Sequence, residues 1–180
     1  MLFYDSLVAA ADYFCAYIEN GVTRNELTCF VGLSRLHYEK LLEQAGLKVA
    51  GLEELGYLQH VSTRDFVPEM ERRNKCALTQ GPEPERKGTR FIITHDSLME
   101  QSDSLQNMID FEKSLHRFSA YPLSTMCSYD ARILMDEAQS NLFRELVNPH
   151  GHCFFQGAVV SRNTLVGTPL GSAYPKIRLR

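Results

Sequence analysis

From Leu7 the apolar residues return every three or four positions, at Leu7, Val8, Ala11, Phe14, Cys15 and Ile18, and so share one helix face. Gly21 is expected to stop that helix. The run Leu27 to Leu33 (LTCFVGL) is continuous and suited to a buried pleated surface, so it reads as a strand. A helical stretch through Leu36, Leu41 and Leu42 follows, ended by Gly46. The pair recurs: Tyr57 to Val61 as a strand, then Phe66, Val67, Met70, Ala77 and Leu78 at helical spacing. The turn-rich run Gly81-Pro-Glu-Pro-Glu-Arg-Lys-Gly88 reads as an exposed loop.

Arg90 to Thr94 (RFIIT) is the next strand, and Ser97 with Glu100 forms a capping-box signature opening a long helix to about Phe118. Leu123 to Tyr129 (LSTMCSY) is a fourth strand. Asp130 is placed to cap a helix carrying Leu134, Ala138, Leu142 and Leu146, and Cys153 to Val160 is a fifth strand. Strands alternating with helices predict an α/β fold, a three-layer sandwich with a mostly parallel central sheet. The domain is expected over residues 1–165. Gly167, Pro169, Gly171 and Pro175 leave 166–180 as an irregular basic C-terminal tail.

The 180 residues are 44% apolar and 23% charged, enough to bury one core without disulfides or a structural metal. The net charge of −3 argues against direct nucleic-acid binding, but it is uneven. Arg162, Lys176, Arg178 and Arg180 put +4 on an acid-free end, leaving −7 on the rest. Five cysteines, an odd number at wide spacing, suit a reducing cytoplasm. Neither a signal-peptide start nor an apolar run of membrane-spanning length occurs, so a cytoplasmic protein with no membrane partner is expected.

Parallel sheets bind ligands beyond the carboxyl ends of their strands, and here those exits are polar. They carry Ser34 and Arg35; Ser62, Thr63 and Arg64; Thr94, His95 and Asp96; and Tyr129 with Asp130. Each alone is explained as readily by helix capping. The loop after the Leu27–Leu33 strand has one glycine, Gly32, and no Gly-Lys-Ser/Thr ending, and no GxGxxG occurs. ATP hydrolysis and dinucleotide chemistry are therefore not expected, and no cofactor is assigned.

Glu112 shares a helix face with Leu105, Met108, Ile109 and Leu115, so its carboxylate is expected to be partly buried and to need a partner. An arginine from a neighbouring element is the plain structural answer; a ligand-facing or proton-transferring role is the functional one. His150, His152 and Cys153 form the densest group of metal-type ligands, but no second pair completes a site. Serine or cysteine nucleophile motifs are absent. A turn delivering Cys153 into a strand is the simpler reading.

Phe3-Tyr4-Asp5-Ser6, Gly21 with Asn25-Glu26, Thr28-Cys29-Phe30-Val31, Gly46-Leu47, Asp110-Phe111-Glu112, Met126-Cys127-Ser128-Tyr129-Asp130, and Asn148-Pro149-His150 with Asn163 and Pro169 occur in an order that resembles the MEDS domain. MEDS stands for methanogen/methylotroph, DcmR sensory domain, and the resemblance spans residues 1 to about 170. It implies a sensory domain of archaeal and bacterial regulators, with a core related to RecA and KaiC but no working phosphate loop, that senses small hydrocarbon derivatives. Two departures stand out. The strand before Tyr4-Asp5 is shorter than the family's, and the family's Tyr-Glu pair on the long helix appears here as Phe111-Glu112. Family members often carry a helix-turn-helix or a histidine kinase, and no element of this sequence is left over for either.

The leading expectation is a non-enzymatic sensory domain that binds a small organic ligand and signals to a separate regulator or kinase protein. Tyr4, Asp5, Arg64, Asp96, Glu112, Tyr129 and Asp130 are its candidate ligand-binding residues. Asp96 and Asp130 are expected at the rim, Tyr4 and Tyr129 as aromatic walls, and Glu112 inside. A docking module working through residues 81–88 and the basic tail is one alternative; a small hydrolase or nucleotide-handling enzyme using His95 and Asp96 is another. A homodimer is compatible with either.

Overall fold

The shortest strand lies inside the sheet, not at its edge. In the computed structural model of the protein, which describes residues 1–80, 86–95, 110, 112–115, 123–131, 145, 147, 152–155 and 158–161, Leu2–Tyr4 form β1. For 74–80, 123, 152–155 and 158–161 the backbone alone is described. All three β1 residues are buried, because their strand is flanked on both sides. The remaining strands are β2 (Glu26–Val31), β3 (Leu58–Val61), β4 (Gly88–Thr94), β5 (Leu123–Asp130), β6 (His152–Phe155) and β7 (Ala158–Ser161). Their order across the sheet is β3-β2-β4-β5-β1-β6-β7.

Among the described residues every pairing from β3 to β6 is parallel, and only β6 with β7 is antiparallel. The α/β class and the mostly parallel sheet follow the periodicity. Two strands differ from it. Leu2–Tyr4 is too short for a periodic signal, and Cys153 to Val160 is not one strand but parts of two, with Phe155 opposite Ala158.

Helices α1 (Leu7–Thr23), α2 (Arg35–Gln44) and α3 (Val49–Glu54) cover one face of the sheet. There Phe14, Ile18, Phe30, Tyr38, Leu42 and Ile92 form the core, with Phe14 edge-on to Phe30 at 5.4 Å. Ser6 caps α1 by accepting from the Ala9 amide. The helix does not stop at Gly21. It runs two residues further, and Asn25, at φ 57, makes the left-handed turn into β2. Gly21 instead marks the closest approach to the sheet: a Cβ there would meet Thr28 Oγ1 at 2.9 Å and Arg90 Cδ at 3.1 Å. Val8 and Leu36, placed by spacing on buried faces, are 72% and 59% exposed.

Helix α4 (Thr63–Gln80) covers the other face together with the helical residues 112–115. Phe66 of α4 packs edge-on to Phe91 of β4 at 5.4 Å. Arg73, 4% exposed, ties that helix to the sheet: it donates to Glu69 at 2.7 Å, to Thr89 at 3.3 Å and to Gln59 at 3.2 Å. Hydrogen bonds from Arg72, and the charges of Arg73 and Arg72, hold the Glu69 carboxyl below the usual range. Among the described residues no helix is long and apolar enough to cross a membrane.

Candidate functional site

Side chains alternate across a strand, so the phase of each strand decides which face receives its polar residues. On β4, Arg90 reaches α1, donating to the Tyr17 carbonyl at 2.7 Å and to Asn20 Oδ1 at 2.8 Å. Phe91 meets α4, so the opposite phase carries Ile93 and then His95, just past the strand end, to the α4 side. On β5, Ser124 pairs with Tyr17 of α1 at 2.7 Å, which sends Cys127 and Tyr129 to the α4 side. Glu112 comes down on the same side from its helix.

These four side chains converge. The Tyr129 hydroxyl donates to Glu112 Oε1, and His95 Nε2 lies 3.3 Å from the same oxygen. The imidazole of His95 stacks on the Tyr129 ring. The Cys127 sulfur lies within 4.8 Å of a Glu112 carboxylate oxygen and of a His95 ring nitrogen. Phe3 of β1 packs against Tyr129 from the adjoining strand, with ring centroids 5.7 Å apart. Glu112 is 3% exposed, His95 1%, and Cys127 and Tyr129 are fully buried. Burial and then the neighbouring Glu112 charge push the Cys127 thiol well above its ordinary pKa, while the Met1 ammonium acts in the opposite sense.

The burial expected for Glu112 is present, and what meets it here is a tyrosine, a histidine and a cysteine. A buried carboxylate surrounded by a phenol, an imidazole and a thiol can accept hydrogen bonds, exchange a proton or bind a cation. Phe3 and Ile93 supply the apolar surroundings in which a few polar groups discriminate between ligands.

Of the residues singled out in the sequence, the fold brings Glu112 and Tyr129 together. Tyr4 stands opposite Asp130 in the β1–β5 register, but it is packed into the α1 and α2 core. Tyr4 and Tyr129 therefore lie on opposite faces of the sheet and do not wall one pocket. Asp5 is exposed just after β1, and Asp130 is half-buried. Arg64 is exposed in the first turn of α4, beyond the edge strand β3 and three strands from β5, about 14 Å across the sheet. Asp96 lies outside the described residues. So does His150, and the side chains of His152 and Cys153 are likewise not described.

His95 and Cys127 are the members that sequence reasoning passed over. In the sequence His95 stands out only beside Asp96, and Cys127 only within the run Met126-Cys127-Ser128-Tyr129-Asp130. The available signal was the alternation itself, since Phe91, Ile93 and His95, like Cys127 and Tyr129, keep one phase. The serines at the strand exits act as caps: Ser34 accepts from the His37 amide, and Ser62 accepts from the Asp65 amide. At the sheet edge, Gln59, His60, Asp65, Pro68, Glu69 and Arg72 line a groove of about 310 Å³, separate from the buried cluster.

The strand order also moves the phosphate-loop question. The first strand is β1, and its link to α1 is Asp5-Ser6, which holds an acid and no glycine. Gly32, after β2, serves the sheet instead: at φ +116 a Cβ would sit 2.2 Å from the Thr94 carbonyl oxygen.

The model of the family described as MEthanogen/methylotroph, DcmR Sensory domain matches residues 1–145, which include β1 to β5 and all four cluster residues. The chain belongs to the MEDS family. It is thus a sensory domain by family, and the matched region ends before β6. No curated protein matches the chain.

Proposed function

We propose that this MEDS domain binds a small organic molecule of the hydrocarbon-derivative class at the carboxyl ends of β4, β5 and β1, and that it passes the event to a separate regulator or kinase. The observation that carries the reading is the Glu112 carboxylate held by Tyr129 and His95 against the ends of the central strands. A polar trio in an apolar setting suits recognition of one polar group on an otherwise apolar ligand. The β1 exit, Asp5-Ser6 with no glycine-rich loop, is not built to cradle a nucleotide phosphate, which favours an organic ligand of another class.

The test is a thermal-shift screen of small alcohols, haloalkanes, amines and acids on the full chain. A ligand at one hundred times its Kd adds about 2.7 kcal/mol of stability. Glu112→Gln is expected to remove the shift while leaving the circular dichroism spectrum folded. The reading is lost when no compound of these classes stabilises the protein, or when the shift is equal in the variant.

A further inference from the structure

We propose that His95, Glu112 and Cys127 hold a divalent transition-metal ion of the zinc class. The three side chains come from three elements, the end of β4, the helical segment 112–115 and β5, so the tertiary fold alone assembles them. An imidazole nitrogen, a carboxylate oxygen and a thiol sulfur lie within 4.8 Å of one another, and all three residues are buried. Bonds of about 2.0–2.3 Å around a tetrahedral ion place donor pairs roughly 3.5 Å apart. His95 Nε2 and Glu112 Oε1, at 3.3 Å, already meet that spacing. The widest pair has to close by no more than about 1.3 Å.

Charge favours the ion. The Glu112 carboxylate and the Cys127 thiolate together balance a dication, with neutral His95 as third ligand, so the site carries no net charge in the low-dielectric interior. Binding breaks the Cys127 S–H bond and forms a metal–sulfur bond, and the proton leaves to solvent; no electrons are transferred. Mixed nitrogen, oxygen and sulfur donors suit zinc better than magnesium or calcium, which prefer oxygen alone. The outer contacts are those of a metal site as well: Tyr129 donates to the ligating carboxylate, and its ring fixes the plane of the imidazole. Three protein ligands leave a position open for water or for a polar group of an organic ligand.

The inference shares Glu112 with the sensing proposal but does not depend on it. Full-length protein is stripped with a chelator and titrated with Co²⁺. One ion per chain is expected, with a thiolate-to-cobalt charge-transfer band and release of about one proton. Cys127→Ser should abolish that band, and His95→Gln should weaken binding at least about tenfold. X-ray absorption on the zinc form of the unaltered protein should show one sulfur ligand, and that measurement decides the matter even when a variant does not fold. The inference is overturned when no stoichiometric Co²⁺ binds, when the zinc form has no sulfur ligand, or when the band survives Cys127→Ser. Repeating the thermal-shift screen on stripped protein separates the two proposals. Organic binding without metal binding removes only this one, and metal binding without organic binding removes only the sensing role.

Discussion

The imidazole of His95 lies flat on the phenol ring of Tyr129, with centroids 4.3 Å apart and planes 7° from parallel, and both side chains address one oxygen of Glu112. Stacking fixes the two rings relative to each other, so the carboxylate meets a prearranged pair instead of two independent rotors. The cluster is therefore a rigid unit, sensitive to the loss of any member.

Glu112→Gln keeps the shape but replaces one carboxylate oxygen by an amide nitrogen, which confronts donors with a donor. A loss of about 1–3 kcal/mol is expected in urea unfolding. An unchanged midpoint would show that the carboxylate carries no net interaction here.

Alkaline pH should act through Cys127. Its folded pKa lies above the unfolded value, so its contribution to stability is intact below about pH 8.5 and falls as the pH rises towards the folded value. Unfolding followed in metal-free buffer between neutral and alkaline pH should show this decline, and Cys127→Ala should flatten it. The raised Cys15 and Tyr17 act in the same direction, so the variant is expected to keep a residual slope.

Gly21→Ala sets helix propensity against packing. Alanine is favoured by about 1 kcal/mol inside a helix. Its Cβ would meet Thr28 Oγ1 at 2.9 Å and Arg90 Cδ at 3.1 Å, and Arg90 is anchored by Glu26 at 2.7 Å. Overpacking of this kind costs typically 1–3 kcal/mol, so a net destabilisation of about 1 kcal/mol is expected in urea unfolding. A stabilised variant would mean that the helix moves off the sheet without cost.

Gly32→Ala should be harsher. The residue has φ +116, and the added carbon would fall 2.2 Å from a backbone oxygen of the neighbouring strand, which has no rotamer with which to retreat. A loss of at least about 3 kcal/mol is expected, seen as a lower melting temperature or loss of soluble protein. Wild-type stability would show that β2 and β4 separate freely at this end.

The local pattern of the chain was enough for the α/β class. Helical spacing at Ala11, Phe14 and Ile18 and the apolar runs around Phe30 and Ile92 record which surfaces must leave water, and that requirement is local. Glu112 was legible for the same reason: a carboxylate on an apolar helix face must be buried and must find a partner. The identity of those partners was not legible. His95, Glu112 and Cys127 meet because β4 and β5 pair in parallel with Ile93 beside Cys127, and a residue's lateral neighbour leaves no trace in its own periodicity.

The same limit explains β1 and the two tyrosines. Leu2–Tyr4 is too short to show alternation, yet pairing on both sides places it between β5 and β6. Tyr4 and Tyr129 both stand at strand ends, and sequence position alone set them side by side. Their separation onto opposite faces follows from the register, Phe3 beside Tyr129 and Tyr4 beside Asp130. The sequence by itself determined the helices α1, α2 and α4, the strands β2 to β5 and which carboxylate needed a partner, but not β1, α3 or the division between β6 and β7. Only the tertiary structure decided strand order and phase, because those depend on hydrogen bonds and packing between segments far apart in the chain, and with them which side chains share a site.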